Sequence, residues 1–112
     1  MNGAGGMMKL DQVMASLPER FRPKMAGNMT AAIQFGFSGE GGGRWWMRIA
    51  GGKCAIGQGD IAQPDAVVKM SAADFIGIND GTIDAPDVFW SGRIDVDGSV
   101  EAVLALPAVM NW

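Results

Sequence analysis

Residues 29–59 read MTAAIQFGFSGEGGGRWWMRIAGGKCAIGQG, and the fold is decided there. From Met29 to Phe37 every odd position is apolar, and Thr30, Ala32, Gln34, Gly36 and Ser38 alternate with them as small or polar residues. That period of two belongs to a half-buried strand. Gly39-Glu40-Gly41-Gly42-Gly43 turns the chain, and Arg44–Ala50 resumes the alternation with Trp45, Met47 and Ile49 inward and Arg44, Trp46 and Arg48 outward. Gly51-Gly52 is a two-residue hairpin turn, where glycine supplies the positive φ that the favoured turns demand. Lys53–Gly59 returns with Cys54 and Ile56 inward. The stretch is a three-stranded meander.

On its N-terminal side the period changes. Met1–Gly6 is Gly-rich and reads as a disordered end. Met7, Leu10, Val13, Met14 and Leu17 then form the ladder of an amphipathic helix, which Pro18 is expected to stop. Pro18–Asn28 suits a packed connector or a short second helix. On the C-terminal side, a loop around Gln63-Pro64-Asp65 leads into a strand, Ala66–Met70, with Val68 and Met70 facing the core. Ser71 caps a helix with Asp74 completing a capping-box-like pair, and Asp80-Gly81 ends it. Asp84-Ala85-Pro86-Asp87 starts a short helix carrying Val88, Phe89 and Trp90, because proline is tolerated in a first helical turn. Arg93–Asp97 alternates as a fifth strand, Gly98-Ser99 opens a last helix, and Pro107 is expected to end it. The sum is an α+β domain, a sheet with helices packed on one face.

With 112 residues the chain reads as one domain, 1–112, able to build a core without staples. The residue inventory narrows function further. There is no His and a single Cys, so internal disulfides, the usual zinc sites and the common general base are missing. No catalytic residue, metal ligand or cofactor is expected. A net charge of −3 and a charged fraction of 19% argue against nucleic acid and against disorder. The charge is unevenly spread: residues 1–56 hold seven Lys/Arg and three Asp/Glu, residues 57–112 two and nine. The readings are a solvated surface without further meaning, self-association, with a homodimer as one form of it, or an oriented partner. Neither a charged n-region with an apolar h-region nor a bilayer-length apolar run is seen, so the expectation is a cytoplasmic protein without stable membrane insertion.

Several motifs fail on context. Gly57-Gln58-Gly59-Asp60-Ile61-Ala62 has the letters of a dinucleotide fingerprint, but Gln63-Pro64 follows where a helix N-terminus is needed. Asp95, Asp97 and Glu101 lack the remaining ligands of a calcium loop. Cys54 has no His to activate it and reads as an inert, buried thiol. Trp46, between Arg44 and Arg48 on the outer sheet face, is either surface cover or a contact surface. The inward set, with Phe35, Phe37, Trp45, Met70, Phe75, Ile78, Phe89, Ile94 and Leu104, is a core by default. Methionine-rich linings also adapt to irregular apolar guests, and alternation alone does not separate a filled core from a hollow one.

The strings Leu17-Pro18-Glu19-Arg20-Phe21, Phe37-Ser38-Gly39-Glu40 and Gly51-Gly52-Lys53-Cys54 occur in one order with Pro64-Asp65-Ala66 and Met70-Ser71-Ala72-Ala73-Asp74-Phe75. Phe89-Trp90-Ser91-Gly92-Arg93-Ile94-Asp95-Val96-Asp97-Gly98 completes the series. In this the chain resembles the sterol carrier protein-2 sterol-binding domain family, in its bacterial-type, free-standing form. The resemblance implies a five-stranded sheet backed by helices and enclosing an apolar tunnel, and non-catalytic binding and transfer of a small-molecule lipid: fatty acyl chains, acyl-CoA, phospholipid or sterol-like molecules. The matching tunnel positions are Phe35, Phe75, Ile78, Phe89, Trp90, Ile94 and Leu104, with the tail around Met110 as a lid. Where many members are Lys-rich, this chain has Asp80, Asp84, Asp95 and Asp97, which disfavours anionic head groups and anionic membranes. It ends in Asn111-Trp112 rather than Ser-Lys-Leu, which favours the cytoplasm over the peroxisome. The alternative to a carrier is a protein–protein interaction module or accessory subunit with a filled core.

Overall fold

The computed structural model describes residues 9–110; the Gly-rich end, Met7 and the Asn111-Trp112 tail lie outside the described residues. Along the chain come α1 (Leu10–Arg20), α2 (Pro23–Ala26), β1 (Ala31–Ser38), β2 (Gly43–Ala50), β3 (Lys53–Gln58) and β4 (Ala66–Ser71). They are followed by α3 (Ala72–Asp80), α4 (Ala85–Trp90), β5 (Asp95–Gly98), α5 (Val100–Leu104) and α6 (Leu106–Val109). The strands form one five-stranded sheet in the order β3-β2-β1-β4-β5. β1 and β4 run parallel, with Phe35 opposite Val68, and every other pairing is antiparallel.

The alternation predicted for the meander is realised. Ala31, Ile33, Phe35 and Phe37 of β1 and Met47 and Ile49 of β2 are all buried on the covered face. Ala50 pairs with Lys53, and the turn between them has φ of 59° at Gly51 and 74° at Gly52, the two positive values a tight hairpin turn with right-handed strand twist requires. β4 is joined to β1 by Asp65, whose N–H donates to the Ala32 carbonyl at 2.7 Å while its carboxylate accepts from the Ala32 N–H at 2.8 Å.

One outward position of β1 departs from the pattern. Gln34 is 4% exposed. Its Nε2 donates to the Trp45 and Gly59 carbonyls, each at 3.0 Å, and its Oε1 accepts from the Ile61 N–H at 2.8 Å. The side chain is buried because the 59–61 loop folds over the sheet, and it replaces the backbone partners that loop lacks.

Both prolines expected to stop helices do something else. Pro18 lies within α1, which continues to Arg20, since a missing N–H near the end of a helix costs a single ladder bond. Leu10, Val13, Met14 and Leu17 still form the buried stripe. Arg20, in the last turn, donates to the Asn79 carbonyl at 2.9 Å and so ties α1 to the C-terminal turn of α3. Pro107 opens α6 instead of ending α5, because a proline within the first two positions of a helix sacrifices no intrahelical bond. Ser71 caps α3 as expected, accepting from the Asp74 N–H at 3.0 Å. The Asp74 carboxylate turns to Arg93, 3.2 Å away, rather than back to the cap.

Trp46 is half-buried, and its indole lies against Gly57 on β3: a Cβ added there would come within 2.3 Å of the ring. Surface cover over a glycine is therefore what the indole supplies on that face. Gly57 is the strand floor beneath a tryptophan and not part of a phosphate loop.

Candidate functional site

The covered face of the sheet is not filled throughout. A cavity of about 280 Å³ lies between β1 and β4 on one side and the four C-terminal helices on the other. Phe35, Val68 and Met70 form its floor, Phe75 and Ile78 of α3 one wall, and Ala85, Pro86, Phe89 and Trp90 of α4 the next. Ile94, Val103, Leu104, Leu106 and Pro107 close the remaining side. Every lining side chain is apolar but for the indole N–H of Trp90.

Aromatic packing sets the shape of the floor. The Phe35 and Phe37 rings stack with centroids 5.3 Å apart, and Phe75 tilts across both at 5.5 and 4.8 Å. Such an arrangement is directional and holds the rings in place. Phe75 is also the residue whose carbonyl accepts from the Nδ2 of buried Asn79, at 2.8 Å, one turn along α3.

The mouth is built differently. α4 carries three successive apolar residues, and at about 100° per residue a helix cannot turn all three toward one core. Val88 takes the core and is fully buried, Phe89 lines the cavity, and Trp90 swings out to 82% exposure. The two rings meet edge to face with centroids 5.2 Å apart. Leu104 on α5, also in the lining, is 56% exposed. The Ser99 hydroxyl accepts from the Ala102 N–H at 3.1 Å and fixes the start of α5. Two large apolar side chains left in water at the lip of an apolar cavity are the feature a passing hydrocarbon would cover.

Seven of the eight residues expected at the site, Phe35, Phe75, Ile78, Phe89, Trp90, Ile94 and Leu104, come together in this lining. Met110 does not. It is 1% exposed and pairs as a β-bridge with Phe21, beside the bond from the Arg22 N–H to the Val109 carbonyl at 2.7 Å. The tail up to Met110 is thus a clasp on the connector between α1 and α2, and not a lid. Val68, Met70 and Val103 were legible only as core, and Pro86 and Pro107 only as helix punctuation; nothing in their spacing signals a wall.

Among the described residues, no group of three or more His, Cys, Asp or Glu is placed to hold a metal ion, and no helix is long and apolar enough to cross a membrane. Cys54 lies on β3, outside the lining, and burial pushes its thiol up to about 11. A thiol of that kind is overwhelmingly protonated at neutral pH. We expect its reaction with a disulfide reagent at pH 8 to be at least about tenfold slower than in the urea-unfolded chain, the roughly hundredfold loss of thiolate being partly offset by the higher nucleophilicity of a weaker acid. Equal rates in the two states would show that burial does not protect it.

The model of the SCP-2 sterol transfer family matches residues 10–111. The chain belongs to that family. Among curated SCP-2 relatives, hydroxysteroid dehydrogenase-like protein 2 of Bos taurus is 33% identical over 82 residues, covering 72% of this chain and 20% of that protein. The chain thus spans about a fifth of the length of such relatives. Among solved structures, palmitated SCP2L2 from Aedes aegypti superposes with a TM-score of 0.75 at 20% identity, over 87% of this chain and 89% of that one. The stereoselective inverting sec-alkylsulfatase Pisa1 from Pseudomonas sp. gives 0.80 at 15% identity, over 94% of this chain and 17% of that one. At such identities the two structures show a shared fold. The five-stranded sheet with helices on its covered face is the SCP-2 architecture.

Proposed function

We propose that the chain is a non-catalytic lipid carrier that takes up the hydrocarbon part of a lipid between Phe35, Phe75, Ile78, Phe89, Trp90, Ile94 and Leu104. The observation that carries this reading is the predominantly apolar lining of the cavity, with Trp90 and Leu104 exposed at its lip. Membership of the SCP-2 sterol transfer family supports it, as does the relative from Aedes aegypti, which is palmitated. The same reading makes residues 1–112 one lipid-binding unit working in the cytoplasm.

Burial of methylenes is sufficient as a driving force. Each contributes about 0.8 kcal/mol, so complete burial of a sixteen-carbon chain would gain on the order of 13 kcal/mol before immobilisation and opening costs, and partial burial proportionately less. Micromolar binding then needs no specific hydrogen bond. At about 280 Å³ the cavity stands at the lower edge of the roughly 300–1,000 Å³ typical of ligand pockets. The resting form therefore holds part of a chain, and the remainder lies along Trp90 and Leu104 or enters as α4 and α5 move apart. Those helices are short, with six and five residues, and their movement would widen a cavity that is already partly open at Trp90 and Leu104. Selectivity for chain length should be loose, since an apolar pocket discriminates weakly per methylene.

The test combines native mass spectrometry of the purified protein with ligand-dependent melting. A ligand at about one hundred times its Kd adds about 2.7 kcal/mol, which for a domain of this size raises the melting temperature on the order of 10 °C. Copurifying lipid mass together with such a rise is the expected result. A clean unliganded mass and a melting temperature indifferent to every long-chain lipid would overturn the reading.

A further inference from the structure

Resting on the carrier reading, we propose that this cavity selects lipids by the charge of the head group, taking cationic chains most tightly, neutral chains next, and carboxylates or phosphates least.

The lining side chains carry no charge and no polar group beyond the indole N–H of Trp90 at the lip, so the charged end of any guest stays at the mouth. The electrostatics of the mouth then decide. Asp84 immediately precedes the lining residues Ala85 and Pro86, and Asp87 follows them one helical turn before Trp90. Glu101 stands one turn before Leu104 on α5. All three carboxylates are exposed, and residues one turn apart on a helix share a face, so two of them flank the two lip residues directly. The wider stretch has the same sign: residues 80–110 hold Asp80, Asp84, Asp87, Asp95, Asp97 and Glu101 against Arg93. Arg93 does not offset them at the mouth, because its guanidinium is engaged by the Asp74 carboxylate at 3.2 and 3.3 Å. A carboxylate or phosphate seated at the lip meets several like charges and no free cation on these helices, while an ammonium meets several partners.

Exposed charges act through solvent and are screened over about 8 Å at physiological ionic strength, so the preference should be moderate and salt-sensitive. At low salt, dodecylamine should bind about tenfold more tightly than dodecanoate, with dodecanol between them. The gap should narrow to about twofold in molar salt.

The decisive experiment measures the three ligands, each below its micelle concentration, by displacement of a neutral fluorescent probe from the full chain and from a variant combining Asp84→Asn, Asp87→Asn and Glu101→Gln. These substitutions keep shape at exposed positions, and an unchanged dodecanol affinity reports that the cavity is intact. Collapse of the amine-to-carboxylate ratio to about twofold in the variant is the expected outcome. The proposal is overturned if dodecanoate binds the wild-type chain as tightly as dodecylamine, or if the order survives in the variant. If none of the three binds, the carrier reading itself falls, a result distinct from equal binding of all three.

Discussion

Val103→Trp should abolish lipid binding while leaving the protein folded. Val103 is half-buried on α5 and lines the side of the cavity, so an indole there has empty volume to occupy and little core to displace. Filling a pre-existing void restores dispersion contacts that its walls lack, so the unliganded protein should keep its stability within about 1 kcal/mol or gain slightly. A long-chain ligand loses the space it needs, and affinity should fall by about a hundredfold or more. The two readouts separate function from folding: the denaturation midpoint without lipid, and the melting shift with it. A variant that retains the lipid-induced shift would mean that the chain binds elsewhere.

The largest loss of stability should come from Gln34→Leu. Leucine matches the volume but removes the acceptor of the Ile61 N–H and the donor to the Trp45 and Gly59 carbonyls. Each backbone group left buried without a partner costs about 1–3 kcal/mol, and partial hydration of the 59–61 loop recovers some of this, so the net loss should be about 2–4 kcal/mol. Urea denaturation should show the midpoint falling at unchanged slope, the signature of lost stability rather than of an altered unfolded state. A loss under about 1 kcal/mol would mean that the loop finds other partners and that Gln34 is not its anchor. Because Gln34 lies on the sheet face opposite the cavity, lipid affinity of the folded variant should be unchanged.

The two substitutions differ in how visible their sites are in the sequence. The strands of the meander are written in a period of two, and burial of Ile33, Phe35, Phe37, Met47 and Ile49 follows from it. Gly51-Gly52 and Ser71 are equally local, because the geometry each needs is set by its own residue type. Gln34 is different. Its period assigns it to solvent, and only the return of a loop twenty-five residues later buries it. Pro18 and Pro107 show the same limit in another form, since proline states which bond is lost but not whether packing compensates for the loss.

The candidate site divides along this line too. Phe35, Phe75, Ile78, Phe89, Trp90, Ile94 and Leu104 were nameable through family resemblance, whereas their period marks them only as apolar. Met110 shared that apolar character and went elsewhere, because an antiparallel bridge to Phe21 claims it.

By itself the sequence determined the strands, the caps, the absence of histidine chemistry and the acidic character of residues 57–112, since each depends on residue type and near neighbours. Tertiary structure alone decided the strand order, the burial of Gln34 and the existence of an unfilled space of about 280 Å³. A void has no residue of its own: it is the volume left between side chains whose separation is fixed by helices and strands distant in the chain, and no local pattern encodes that distance.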